Sequence, residues 1–60
     1  MTFNELKVGD CFRMIYDADH VINIKIFTVE RGCYVNIIGE HHGIVKECID
    51  FVPVQKIKLL

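Results

Sequence analysis

Apolar and polar residues alternate along most of this chain with a period of two, the spacing that sends successive side chains to opposite faces of a β-strand. Cys11 to Tyr16 reads as a first strand, with Phe12, Met14 and Tyr16 on one face and Cys11, Arg13 and Ile15 on the other. Val21 to Glu30 is the longest such stretch. In it Ile22, Ile24 and Ile26 alternate with Asn23 and Lys25, the pattern of a half-buried strand, and the phase then changes at Phe27 and Val29. A phase change inside one strand predicts a bulge or sharp bend near Ile26-Phe27. Arg31-Gly32 marks a tight hairpin, followed by a third strand over Cys33 to Ile38. There Cys33, Val35 and Ile37 share the face expected to point toward the core, and Tyr34, Asn36 and Ile38 share the other. Gly39 to Gly43 is a loop, Ile44 to Ile49 a fourth strand, and Gln55 to Leu60 a short closing strand.

The punctuation between these strands is equally local. Thr2 and Glu5 have capping-box spacing, so a single helical turn is expected before Gly9-Asp10. Asp17-Ala18-Asp19-His20 is polar and turn-like. Phe51 to Val54 reads as a turn or a one-turn 3₁₀ segment, because Pro53 has no N–H to give to a central ladder. The expected architecture is therefore all-β: one domain spanning residues 1–60, a five-stranded small barrel with a short N-terminal helical turn.

Lys7-Val8-Gly9-Asp10-Cys11-Phe12 and Phe51-Val52-Pro53-Val54…Ile57 carry a resemblance. The first resembles the Lys-x-Gly-Asp-x-hydrophobic entry of SH3-like barrels, and the second the hydrophobic-Pro turn before their last strand. The resemblance implies an SH3-like fold. It does not extend to proline-rich peptide recognition, whose aromatic groove needs a tryptophan pair, since the chain has no Trp. In size and outline the chain is also similar to small accessory proteins of phages and mobile elements. That likeness implies a modulator acting in the host cytoplasm by binding and blocking or redirecting a host protein.

Composition sharpens the class. Nine Ile, seven Val, four Phe, two Tyr and two Thr make 24 of the 60 residues, against three Leu and one Ala, a balance that favours strands. The net charge is -1, which supplies no electrostatic footprint for duplex DNA. A domain this small has little room for both a core and a substrate cleft, so enzymatic function is not expected. Cys11, Cys33 and Cys48 are odd in number, which implies reduced thiols in a cytoplasm. No apolar run is long enough to span a membrane, and the N-terminus lacks a signal-peptide pattern.

Candidate chemistry is correspondingly sparse. Cys33, His41, His42 and Cys48 are residue types that zinc accepts, but their spacing matches no short ligand knuckle, and no metal or cofactor is expected. Cys48 with His42 could in principle form a thiol–imidazole pair, although nothing specifies an oxyanion hole. Asp17-x-Asp19 begins like a calcium loop and lacks its later ligands.

The apolar surplus points instead to a protein interface, first of all with a second copy. One closed barrel buries one face of each strand, and apolar residues remain on the other parity. Ile15, Val21, Ile38 and Ile44 belong to that set, and Tyr16, Tyr34, Ile38 and Ile44 are the candidate anchors. Two alternatives stand beside this one. A single-stranded nucleic-acid module would stack bases on Tyr16, Phe27 and Tyr34 beside Arg13, Lys25 and Arg31. A small anionic ligand could bind at an oligomer interface through Arg31, His41 and His42.

Overall fold

A computed structural model describes residues 1–26 and 32–58. A 3₁₀ turn, η1 (Phe3–Glu5), precedes five strands: β1 (Cys11–Met14), β2 (Ile22–Ile26), β3 (Cys33–Ile38), β4 (Val45–Glu47) and β5 (Val54–Ile57). All pairings are antiparallel, in the order β4-β3-β2-β1-β5, so the fold is all-β with β1 interposed between its sequence neighbour and the last strand. No ladder joins β4 to β5 among the described residues; the sheet is open rather than a closed cylinder.

The N-terminal turn forms as its sequence predicts. The Glu5 carboxylate accepts hydrogen bonds from the Thr2 backbone N–H and the Thr2 hydroxyl, each at 2.9 Å. Backbone bonds then fasten this segment to the last turn of the chain. Phe3 N–H donates to Val52 O at 2.9 Å, Asn4 N–H to Asp50 O at 2.9 Å, and Val54 N–H to Met1 O at 2.8 Å. Thr2 and Pro53 form an isolated bridge, a position where proline's missing donor costs nothing.

That fastening lays Phe3 and Leu6 over one side of the sheet. They are buried there with Phe12, Met14, Cys48 and Val54, and Tyr34 and Val52 pack against the cluster. Phe3, Phe12 and Tyr34 meet edge to face, with centroids 5.5 to 6.2 Å apart. Gly32 is required by this packing, because a Cβ at that position would overlap the Phe3 ring.

Several expectations need correction. The strands are shorter than the alternation suggests: β1 ends at Met14, and Tyr16 lies in the following turn, 81% exposed. β4 covers only Val45–Glu47 and β5 only Val54–Ile57. The register shift in β2 falls between Ile22 and Asn23 rather than near Ile26. Phe27 to Arg31, which include the anticipated phase change and half of the hairpin signal, and Leu59-Leu60 lie outside the described residues.

The largest correction concerns which face is buried. Cys33, Val35 and Ile37 do not point to the core. Their neighbours Tyr34 and Asn36 do, and across the ladder Asn23 and Lys25 occupy the same inner side. Each inward polar group is satisfied where it stands. The Lys25 ammonium donates to Phe3 O (3.0 Å) and Leu6 O (2.7 Å), and lies 4.6 Å from the Phe3 ring centroid. The two asparagines bond to one another. With η1 capping the inner side, the space left there suits polar side chains that cap carbonyls, and the isoleucines are turned outward.

Candidate functional site

Two features have a chemistry that the core does not use. The first is the outer face of the sheet. Residues paired directly across an antiparallel ladder put their side chains on the same face. Ile57 pairs with Cys11, Cys11 with Ile24, Ile24 with Val35, and Val35 with Val45. One uninterrupted apolar row therefore crosses all five strands. Ile22, Ile26 and Cys33 share its parity in β2 and β3 and are half-buried, and across the register shift Ile22 pairs with Ile38. Val45 is 59% exposed. Ile38 and Ile44 stand nearby at the β3–β4 end, each 49% exposed.

The second feature is a cavity of about 350 Å³ on the opposite, inner side. The β1–β2 turn supplies Tyr16, Asp17 and His20, the sheet supplies Asn23, Tyr34 and Asn36, and the β3–β4 loop with β4 supplies Glu40, His41 and Lys46. A chain of hydrogen bonds holds its base. Asp17 Oδ2 accepts from the Met14 backbone N–H at 2.8 Å and from Asn23 Nδ2 at 3.2 Å. Asn23 Oδ1 accepts from Asn36 Nδ2 at 2.9 Å. Asn36 Nδ2 also reaches Ile22 O and Ile38 O, while Asn36 Oδ1 is buried without a partner. Gly39 closes over this amide: a Cβ there would come within 3.0 Å of Asn36 Oδ1.

The electrostatics follow from that layout. Burial, followed by the proximity of Tyr16, Cys48 and Asp17, pushes the Tyr34 phenol above its usual range. The groups nearest the base, Asp17 and the asparagines, are acceptors or already-committed donors. The ammonium of Lys46 and the His41 imidazole are exposed at the rim.

The candidate residues separate accordingly. Tyr16, Tyr34 and His41 are brought together around the cavity, joined by Lys46, Asp17, Asn23, Asn36 and Glu40, which the alternation pattern did not single out. Tyr34 is also committed to the aromatic core. Arg13 is engaged with the β1–β2 turn, donating to Val21 O at 3.3 Å and to Asp19 O. Lys25 is engaged with η1. Arg31 lies outside the described residues, and His42 is exposed in the loop.

Cys33 and Cys48 do not converge with the histidines: Cys48 is in the core and Cys33 on the outer face. Burial pushes the Cys48 thiol up, opposite to what a nucleophile needs. Among the described residues, no group of three or more His, Cys, Asp or Glu could hold a metal ion, and no helix is long and apolar enough to cross a membrane. Compared with known proteins, the chain matches no protein-family model, no curated protein and no solved structure.

Proposed function

We propose that this chain is a non-enzymatic protein-interaction module, an SH3-like sheet whose outer face binds protein, and that its first partner is a second copy of itself. The carrying observation is the apolar row Ile57–Cys11–Ile24–Val35–Val45, broadened by Ile22, Ile26 and Cys33. Exposed contiguous apolar faces of this kind mark interfaces on soluble proteins.

Area and shape favour a second copy. The five strands hold 22 residues, which at about 3.3 Å per residue and about 4.8 Å between strands give a face of roughly 350 Å² in plan. A specific interface needs about 500 Å² from each partner, so the strands supply most of that area and the exposed Ile38 and Ile44 beside them add to it. Two copies of one sheet have the same twist, and sheets of matched twist stack face to face with interdigitating side chains. Ile38 and Ile44 flank the row as exposed apolar neighbours, whereas Tyr16 stands at the inner cavity. Tyr34 contributes to the core instead.

Sedimentation equilibrium of the full chain and of Ile24→Asp and Val35→Lys tests this. The expected result is a dimer that both substitutions convert to a folded monomer, since neither side chain belongs to the core. A native chain that stays monomeric at high micromolar concentration overturns the proposal. A native monomer that captures a different protein through the same face would assign the surface to that partner instead.

A single-stranded nucleic-acid role is disfavoured by one observation: Lys25 directs its ammonium to two backbone carbonyls, and Arg13 directs Nε and one terminal nitrogen to two others.

A further inference from the structure

The inner cavity is built from features that a merely packed surface does not require. Asn23 and Asn36 are both more than nine-tenths buried, yet one amide oxygen is left without a partner. Unsatisfied buried acceptors are few in folded proteins and ask for a reason. Beside them, Asp17 receives hydrogen bonds from Met14 and Asn23 on Oδ2 alone, so among the described residues nothing donates to its second oxygen. The Tyr16 ring stands at the mouth, 81% exposed, and the half-buried Tyr34 ring lines the wall.

These groups specify a complementary ligand. The second Asp17 oxygen, near the base, calls for a head rich in N–H donors. Two carboxylates, Asp17 and Glu40, against the single ammonium of Lys46 call for a positive charge. Two aromatic rings favour a planar cation. A guanidinium meets all three requirements: it is planar, always charged, and carries five N–H donors and no acceptor. An anionic ligand would instead set its charge against Asp17. A volume of about 350 Å³ is at the small end for ligand sites and suits one extended side chain with its backbone.

We propose that this cavity receives an arginine side chain offered by a protein partner, with the guanidinium directed at Asp17 and flanked by Tyr16 and Tyr34. The inference extends the protein-binding reading to a second surface. The two are separable, because self-association uses the outer face and the cavity opens on the inner one.

The test is titration of the ¹⁵N-labelled full chain with Ac-Gly-Arg-Gly-NH₂, Ac-Gly-Lys-Gly-NH₂ and adenosine 5′-monophosphate, followed by amide and asparagine side-chain resonances. The arginine peptide should shift the Asn23 and Asn36 side-chain signals and the Tyr16–Val21 amides, with a dissociation constant of about 1 mM, as expected for so small a probe. The lysine peptide should bind several-fold more weakly. Tyr16→Ala, at an exposed position, should weaken the arginine peptide about threefold to fivefold. Asp17→Asn should weaken it about tenfold, and Ile24→Asp should leave it unchanged. Should Asp17→Asn fail to fold, Tyr16→Ala and Glu40→Gln still decide the matter. Equal affinity for lysine, binding of the nucleotide in place of arginine, or absence of any shift each overturns the proposal.

Discussion

Asn36 donates to Asn23 across the β2–β3 ladder, Nδ2 to Oδ1 at 2.9 Å, at the centre of the face that the alternation of isoleucines would have assigned to solvent. The pair links the sheet to the β1–β2 turn through Asp17 and to the β3 end through Ile38 O. Replacing Asn36 with Leu leaves Asn23 Oδ1, Ile22 O and Ile38 O without this donor, and should destabilise the domain by roughly 2–3 kcal/mol. The double variant Asn23→Leu/Asn36→Leu removes both partners at once and should cost less than the sum of the single changes. Urea unfolding of the four proteins measures this. Strict additivity would show that the two amides are energetically independent.

Lys25 holds the N-terminal turn to the sheet by its two carbonyl bonds and its contact with the Phe3 ring. Lys25→Met keeps the aliphatic stem and removes the donors. A loss of about 1–2 kcal/mol is expected. Hydrogen exchange should accelerate at the Phe3 and Asn4 amides, which bond to Val52 and Asp50. Unchanged exchange at those two amides would show that the ammonium does not secure the turn.

Gly32 and Phe3 are matched in shape. Gly32→Ala drives a methyl group into the Phe3 ring and should destabilise the fold by about 1–3 kcal/mol, the usual scale of overpacking. Shortening the ring residue should reverse part of this: in the double variant Gly32→Ala/Phe3→Leu, thermal denaturation should show the alanine costing less than it does beside Phe3. An equal cost in both backgrounds would locate the penalty in the backbone instead.

Stability should fall at both ends of the pH scale, through different groups. Hydrogen bonds from Thr2 hold the Glu5 carboxyl below its ordinary value, and the Lys7 backbone N–H, donating to Asp10 Oδ2 at 2.8 Å, does the same for Asp10. A depressed carboxyl contributes stability that is fully present above its unfolded pKa, about 4, and disappears as pH falls through the lower folded value. Asp10→Asn and Glu5→Gln should flatten that acid limb. Burial raises the Cys48 thiol and the Tyr34 phenol. Their contribution is complete at neutral pH and is lost as pH rises past their unfolded values of about 8.5 and 10 toward the raised folded ones. Thermal melts from pH 3 to 10 would show both limbs. A flat alkaline side would mean that Cys48 and Tyr34 stay solvated.

Much of the local structure is legible in the residues themselves. Thr2 and Glu5 specify the first turn by spacing alone, Pro53 restricts its neighbourhood to a bridge, and period-two runs mark each strand. The ends of the strands are less visible, because Ile15, Tyr16 and Ile49 continue the alternation after the ladder has stopped. The cavity was legible only in fragments. Tyr16, Tyr34 and His41 stand out as isolated aromatic or imidazole residues and Asp17 as the start of an incomplete calcium loop, whereas Asn23, Asn36, Glu40 and Lys46 look like ordinary strand and surface positions until the sheet is assembled.

Alternation determines which residues share a face as far as the ladder is regular: Ile24 and Ile26 lie together opposite Val35 and Cys33, and only the register shift at Ile22 departs from it. It cannot determine which face turns inward, because that depends on what covers the sheet. Phe3 and Leu6, carried over one side by backbone bonds to residues 50–54, supply that cover, and Lys25, Asn23 and Asn36 find their partners beneath it. The strands follow from local periodicity, a property of neighbours in sequence. The inversion of inside and outside, and with it the outer apolar row, follows from contacts between the two ends of the chain, which only the assembled structure brings together.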